Sequence, residues 1–254
     1  MSHDFKVLDS LQPVSLNDIA DAKLMNRIDT KYLTTVSKLP ALLHMARTEY
    51  MVLEIDKRRR LPYYSCYFDT EDAEMFYEHQ RGRKSRQKVR IRRYEGDKEL
   101  SFLEIKNKNN KGRTKKKRVE MEGGTSATDY SDFVATHSNY YIEDLIPHIE
   151  NHFYRITLVR KDLSERVTID TGVEFHNLVT DRYDAIPEVM IIEWKRKALS
   201  EYSPMRRILK ELGIRESGFS KYCVGMARTN PLLRQNRLKE KIRRIDKLRP
   251  LKVL

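Results

Sequence analysis

Lys88-Val89-Arg90-Ile91-Arg92 is the stretch from which the fold can be read, and it lies inside a longer segment running from Arg81 to Arg118. A β-strand turns alternate side chains to opposite faces, so Lys88, Arg90 and Arg92 share one face while Val89 and Ile91 share the other. This is the two-residue period of an amphipathic strand, with cations on its polar side. The surrounding segment holds 17 Lys/Arg against four Asp/Glu, a local charge of +13 that equals the formal charge of the whole chain. The ligand such a segment suits is a polyanion.

At 254 residues the chain is long enough for a full core and reads as one α+β unit. Hydrophobic residues make up 39% and charged residues 34%, the balance of a soluble protein. The last 23 residues, from Leu232, add nine Lys/Arg and two Asp/Glu, which leaves the rest of the chain net acidic. Two basic features are thus set into an acidic body. No cationic, apolar and small-residue leader opens the sequence, and no apolar run is long enough to cross a bilayer, so a cytoplasmic protein is expected. Cys66 and Cys223 have neither metal-ligand nor CxxC spacing and are expected as small buried thiols.

Outward from the central strand, Glu95-Gly96-Asp97-Lys98 reads as a hairpin connection to a return strand, Leu100 to Lys106, on which Phe102, Glu104 and Lys106 share a face. A third basic strand is expected from Arg113 to Glu122, with Thr114, Lys116, Arg118 and Glu120 on one side. Upstream, Arg27-Ile28-Asp29-Thr30-Lys31-Tyr32 alternates, Ser37 caps a helix reaching about Arg47, and Tyr63 to Phe68 is a strand. That strand ends at the acid-rich start, Asp69 to Asp72, of a helix through Tyr77. Before Asn26, residues Leu16, Ile19, Ala20, Ala22 and Lys23 suggest a short helix. Downstream, Asp129 to about Ile149 reads as a helix broken near Pro147, and Phe153 to Arg160 with Arg166 to Asp170 reads as a hairpin. Glu188 to Arg196 is a strand with Glu193 and Lys195 on one face, followed by helices over Ser203 to Leu212 and Ser220 to Arg228. Hairpins interspersed with helices imply a large antiparallel sheet, curved or closed.

Cations on several neighbouring strands cannot be ordinary core residues, because an unpaired buried charge costs several kcal/mol. Solvated faces usually mix Thr, Ser and Gln with Lys, whereas here Arg and Lys dominate and the few acids sit two residues from a base. The pattern favours a lined, water-filled groove or tunnel. Same-face side chains repeat about every 6.6 Å along a strand, a spacing suited to a linear chain of phosphates. Guanidinium forks bind phosphate oxygens bidentately and lysines act as movable point charges. The minority acids Asp29, Glu104 and Glu193 read as ligands for a divalent metal between carboxylate and phosphate; for Glu104 and Asp29 the alternative is an ion pair that orients the cations.

The ordered set Arg27-x-Asp29-x-Lys31, Lys88-x-Arg90-x-Arg92, Glu104-x-Lys106, Lys116-x-Arg118, Arg155, Arg166-x-Thr168-x-Asp170, Glu193-x-Lys195 and Ser220-Lys221-Tyr222 resembles the VTC-type polyphosphate polymerase domain. That domain is a branch of the triphosphate tunnel metalloenzymes, the CYTH-like superfamily. The resemblance implies an antiparallel β-barrel, the triphosphate tunnel fold, with flanking helices and a basic C-terminal helix. It divides the chain into a lead-in (1–26), a tunnel domain (27–230) and a basic tail (231–254). It also implies Mn²⁺ or Mg²⁺, and transfer of the γ-phosphate of ATP or another nucleoside triphosphate onto a growing polyphosphate.

By position, the resemblance makes Lys31, Arg90, Arg92, Lys106, Lys116, Arg155, Arg166 and Lys221 phosphate ligands and Glu193 the metal carboxylate. Lys88 and Arg118 join the phosphate-binding faces, and Glu104 is a second metal candidate. Arg90, Arg92, Lys106 and Glu193 are the catalytic candidates. A further arginine is expected ahead of the central strand, with Arg81, Arg83 and Arg86 competing for the place. Arg27 stands where the superfamily's ExExK strand has its first acid, as in the VTC branch. Gly218 stands where a second lysine near Lys221 is expected, leaving one end of the tunnel less cationic.

With water as acceptor the same tunnel would be a triphosphatase, and a cyclase would release pyrophosphate. The alternative from another class is a non-catalytic polyphosphate-binding module. Nucleic acid calls for aromatic platforms among the basic residues, and in the central strands only Tyr94 and Phe102 qualify, which argues against it. In the tail, Leu238, Ile242 and Ile245, with Leu248 or Arg249, recur at helical spacing among Lys239, Lys241, Arg243, Arg244 and Lys247. Three roles suit such a helix: packing on the barrel, capture of polyphosphate at the tunnel exit, or peripheral docking to anionic lipid or a membrane protein.

Overall fold

The computed structural model describes residues 5–19, 27–94, 100–111, 114–197 and 203–248. Eleven strands are present: β1 (Pro13–Val14), β2 (Arg27–Thr35), β3 (Tyr50–Leu53), β4 (Leu61–Asp69), β5 (Arg86–Tyr94), β6 (Leu100–Lys108), β7 (Thr114–Met121), β8 (Ile146–Arg160), β9 (Glu165–Asn177), β10 (Arg182–Ile186) and β11 (Val189–Lys197). Six α-helices accompany them: α1 (Leu39–Ala46), α2 (Glu74–Gln80), α3 (Ser131–His137), α4 (Pro204–Glu211), α5 (Lys221–Thr229) and α6 (Lys239–Lys247). The strands form one sheet in the order β2-β11-β9-β8-β4-β5-β6-β7, with β10 beside β9 and β3 beside β8. Every pairing is antiparallel except the short parallel contact of β1 with β3. The fold is therefore α+β on a large antiparallel sheet.

Register explains why the charged face is continuous. Lys88 on β5 pairs with Lys106 on β6, which pairs with Lys116 on β7. One step along, Tyr67 pairs with Arg90, Arg90 with Glu104, and Glu104 with Arg118. On the far side of the sheet Glu193 pairs with Lys31 and with Thr168. The opposite face carries the apolar alternates. Ile156, Leu158, Val167, Ile169, Ile192 and Trp194 pack against α1 and α4, and Val89, Leu103 and Ile105 pack against α3. Helices thus cover the side of the sheet away from the charges. The sheet bends toward its charged side: Lys106 on β6 feels the charge of Glu193 on β11, with four strands between them in the sheet order.

On the concave side, α5 closes down on β8 and β9. A Cβ at Gly225 would meet Ile149 Cδ1 at 2.5 Å and Phe175 Cδ1 at 2.6 Å, so only glycine allows this approach. Two buried carboxylates fix the helices to the sheet. Glu165 accepts from Tyr50 Oη (2.6 Å), Trp194 Nε1 (2.9 Å) and Ser203 Oγ (2.9 Å), tying α4 to the convex side. Asp69 accepts the backbone N–H groups of Thr70, Met75 and Phe76 at 2.8–2.9 Å and also the Tyr222 hydroxyl, locking α2 to α5.

Several expectations are corrected. The helix expected from Asp129 to Ile149 is only α3, flanked by 3-10 turns at Ala127–Tyr130 and Ile142–Asp144, and β8 already begins at Ile146. Pro147 sits where the β4–β8 register shifts, the kind of irregularity that tolerates a residue with no N–H to donate. Leu16 to Ile19 is a turn closed by Asp18, whose carboxylate accepts the Ser15 N–H at 3.0 Å. β1, β3 and β10 were not expected, being short. The Glu95–Lys98 connection, Ala20, Ala22, Lys23, Arg113 and Arg249 lie outside the described residues. Cys66 and Cys223 are free and buried. Among the described residues, no helix is long and apolar enough to cross a membrane.

Candidate functional site

The charged face is organised around three carboxylates, each holding two cations. Glu104 is fully buried; its Oε2 accepts from Arg90 Nε (2.9 Å) and Nη2 (2.5 Å), and its Oε1 from Lys116 Nζ (2.8 Å). Asp170 accepts from Arg155 Nε (2.7 Å) and Nη2 (2.8 Å) and from Lys221 Nζ. Glu193 accepts from Lys31 on one oxygen and from Lys195 Nζ (2.9 Å) on the other. Burial alone would raise the pKa of each acid. The paired cations overcome it, so Glu104, Asp170 and Glu193 are all held below the usual carboxylate range.

Beside these clusters, each with one acid to two bases, stand cations without a carboxylate. Arg92 is buried, donates to Ser65 Oγ at 3.5 Å, has no carboxylate partner among the described residues, and feels the charges of Arg90 and Arg155. Lys106 makes no hydrogen bond or ion pair among the described residues. Arg90 beside it, then burial, then Arg92 push its pKa well below that of an ordinary lysine. Lys88 donates to Ser220 Oγ at 2.8 Å. Like charges gathered in a low-dielectric recess are unfavourable for the fold, and an incoming anion would relieve the repulsion. Lys106→Met is accordingly expected to raise the melting temperature by about 3 °C, for roughly 1 kcal/mol of relieved repulsion, while weakening tripolyphosphate binding. Differential scanning calorimetry and titration calorimetry measure the two effects; a lowered melting temperature would mean that Lys106 is held by attraction.

Under the cations runs an aromatic floor that the strand pattern did not reveal. Arg92 lies 5.7 Å and Arg155 4.9 Å from the Tyr63 ring centroid, Arg90 5.6 Å from Tyr67, Lys88 5.7 Å from Tyr222, and Lys221 3.9 Å from Phe153. Tyr67 also accepts from Arg90 Nη1 at 2.9 Å. The alternation Tyr63-x-Ser65-x-Tyr67 on β4 was the available signal. These rings are buried, so they support the cations from beneath and do not stand as platforms for bases.

The remaining candidates sit toward the margins. Arg118 is exposed over Phe102 at 4.7 Å, and Arg166 reaches the Ile19 carbonyl at 3.5 Å. Of the three competing arginines, Arg86 is the one on β5, in step with Lys88, and it donates to the Arg83 carbonyl at 2.8 Å. Arg83 instead meets Glu78 at 3.4 Å, and Arg81 lies 6.0 Å from the Tyr77 ring centroid. Asp29 is exposed at the β2 edge. Asp170 and Lys195, part of the strand pattern but given no role in it, prove central to two of the three clusters.

A hard divalent cation needs anionic oxygens, and among the described residues no three His, Cys, Asp or Glu side chains converge. Glu104 does not fit, because both its oxygens are committed to Arg90 and Lys116 in a fully buried position. Glu193, whose side chain is 21% exposed, fits the mode in which one carboxylate shares the ion with substrate phosphates, provided phosphate draws Lys31 and Lys195 away.

No sequence among the curated proteins matches this chain. Among solved structures it is similar to PH1819 from Pyrococcus horikoshii OT3, at 12% identity and a TM-score of 0.47 over 79% of this chain and 99% of that one. It is also similar to HpAC1 from Hippeastrum, described as an adenylyl cyclase candidate with a dominant triphosphatase activity, at 14% identity and a TM-score of 0.46 over 81% and 97% of the two chains. Among protein families, the VTC domain matches residues 26–230, the span that contains β2 to β11 and every one of the three carboxylate clusters. On that match, the chain belongs to the VTC domain family.

Proposed function

We propose that this protein transfers the terminal phosphate of a nucleoside triphosphate to a growing polyphosphate chain, held in a tunnel formed by the concave face of its sheet. The observation that carries the reading is the excess of cations over carboxylates along that face. Among the described residues, Arg92, Lys106 and Lys88 have no carboxylate partner, while Glu104, Asp170 and Glu193 are each already paired with two cations. Such a surplus matches a linear string of phosphates better than one isolated group.

Phosphoryl transfer needs positioning and charge neutralisation more than covalent help from the protein. Arg90, braced by Glu104 and Tyr67, is a rigid fork that would orient the transferred group. Arg92 and Lys106 would neutralise the charge that spreads over its oxygens in the transition state. The acceptor is a phosphate already ionised, so no general base is required. Lys31, Lys116, Arg155 and Lys221 would hold flanking phosphates, with Lys88 and Arg118 toward the ends of the row and Arg166 at its margin. A Mn²⁺ or Mg²⁺ ion held by Glu193 would supply further neutralisation at the nucleotide phosphates.

Incubation of the full chain with ATP and Mn²⁺, followed by product identification, tests the reading. ADP with long-chain phosphate supports it. ADP with orthophosphate makes the protein a triphosphatase, pyrophosphate with cyclic nucleotide makes it a cyclase, and binding without turnover leaves a polyphosphate-binding module.

A further inference from the structure

The concave face has an unfinished end. Ser220 caps α5 and receives Lys88, and the next residue, Lys221, bonds Asp170, so α5 delivers one lysine to the row. Two residues before Ser220 the chain has Gly218 and no side chain at all. The space beside Gly218 is filled from elsewhere in the sequence. A Cβ built on Gly218 would lie 3.8 Å from Nζ of Lys241, which is carried by α6, outside the span matched by the VTC domain.

α6 is held in place independently of Lys241. Leu238 and Ile245 are buried in the core cluster that includes Tyr67, Phe153 and Tyr222. Arg228 Nη1 donates to Asp246 at 2.8 Å, Arg237 Nη1 to the Arg81 carbonyl at 2.5 Å, and Arg244 Nη2 to the Arg215 carbonyl at 3.5 Å. Lys241 itself is half-buried and has no carboxylate partner among the described residues. Burial lowers its pKa, the nearby Cys223 thiol opposes this, and repulsion from Lys88 adds to it. The same corner holds a half-buried imidazole, His79, kept neutral with a pKa of about 3 by burial and by Lys88, Arg86, Lys241 and Lys108 around it. Four bases from two strands and the tail helix therefore bear on this corner, and among the described residues neither Lys88 nor Lys241 has a carboxylate partner.

We infer that Lys241 completes the phosphate-binding row at this end of the concave face, and that it holds a distal phosphate of a condensed-phosphate chain. The inference deepens the proposed function and rests on it. As the holder of a distal phosphate, Lys241 is a positioning residue for the chain.

Titration of full-length protein with long-chain polyphosphate tests this directly, with circular dichroism confirming the fold of each variant. Lys241→Ala is expected to weaken binding roughly tenfold, the loss of one charge-assisted hydrogen bond, and to lower the steepness of the salt dependence by about one ion. Lys247→Ala, which removes an equal charge from an exposed position of the same helix, should change affinity little. Placing the ammonium on the other backbone, Gly218→Lys in the Lys241→Ala background, should restore binding. Unchanged affinity in Lys241→Ala, an equal loss in Lys247→Ala, or no restoration by Gly218→Lys in a folded protein would each overturn the inference while leaving the functional reading standing. If the parent protein binds neither ATP nor polyphosphate, the functional reading falls and this inference with it.

Discussion

Arg92→Ala is expected to lower phosphate transfer from ATP by about 10³-fold, the effect of losing a charge-stabilising arginine in phosphoryl transfer, while leaving the melting temperature unchanged or slightly higher. The two halves of this expectation come from one fact: Arg92 is buried next to Arg90 and Arg155 and has no carboxylate of its own. Its burial and its like-charged neighbours depress its pKa, so the folded protein gains little by keeping it when no anion is bound. Arg90→Ala separates the cases. Arg90 donates two N–H bonds to one oxygen of a fully buried carboxylate, so its loss should reduce activity and stability together. Steady-state ADP formation and calorimetry on the two variants check the contrast. Equal thermal losses in both would show that Arg92 is a structural ion after all.

Glu104→Ala should be the most destabilising change on the face, costing about 3–5 kcal/mol, the usual penalty for removing one partner of a buried ion cluster. It strands Arg90 and frees Lys116, and it removes a carboxylate whose charge offsets the repulsion at Arg92 and Lys106. The same clusters set the acid limit of the fold. Glu104, Asp170 and Glu193 each have a folded-state pKa below the unfolded value, so the folded protein binds those protons less readily than the unfolded chain. Their stabilising contribution is complete above the unfolded carboxylate value of about 4.3 and is lost as pH falls from there toward the depressed folded values. Urea midpoints measured from pH 7 to pH 3 should stay level and then drop through that window. Glu104→Gln should flatten part of the drop, and an undiminished slope in that variant would remove Glu104 from the cause.

How much of this was legible in the sequence depended on range. The faces of β5 and β6 followed from alternation, because the period of a strand is a property of a few adjacent residues. So did the likelihood that acids two residues from bases would have a partner. Which partner was not legible: Glu104 sits two residues from Lys106 in sequence but bonds Arg90 and Lys116 on the strands either side, and only register decides that. Pro147 misled for a related reason, since a proline that breaks a helix is equally at home at a strand irregularity. Lys241 was the least accessible. Its helix shows an apolar stripe at the right spacing, yet nothing local says that one lysine of that helix will stand beside a glycine more than twenty residues earlier.

The sheet of this protein packs its convex alternates under α1, α3 and α4, and its concave side carries the ions beside an apolar cluster under α5. Each strand therefore carries two interleaved texts that can be edited separately. Outward letters are constrained by the helices they touch. Inward letters that lack an acid, such as Arg92 and Lys106, have no ion pair in the fold to preserve. Over evolutionary time such a scaffold can drift in what it holds, losing or regaining a cation here and there, without passing through an unfolded ancestor. Divergence among members of the family should then be concentrated at the acid-free inward positions, and the doubly paired acids should change only together with their bases.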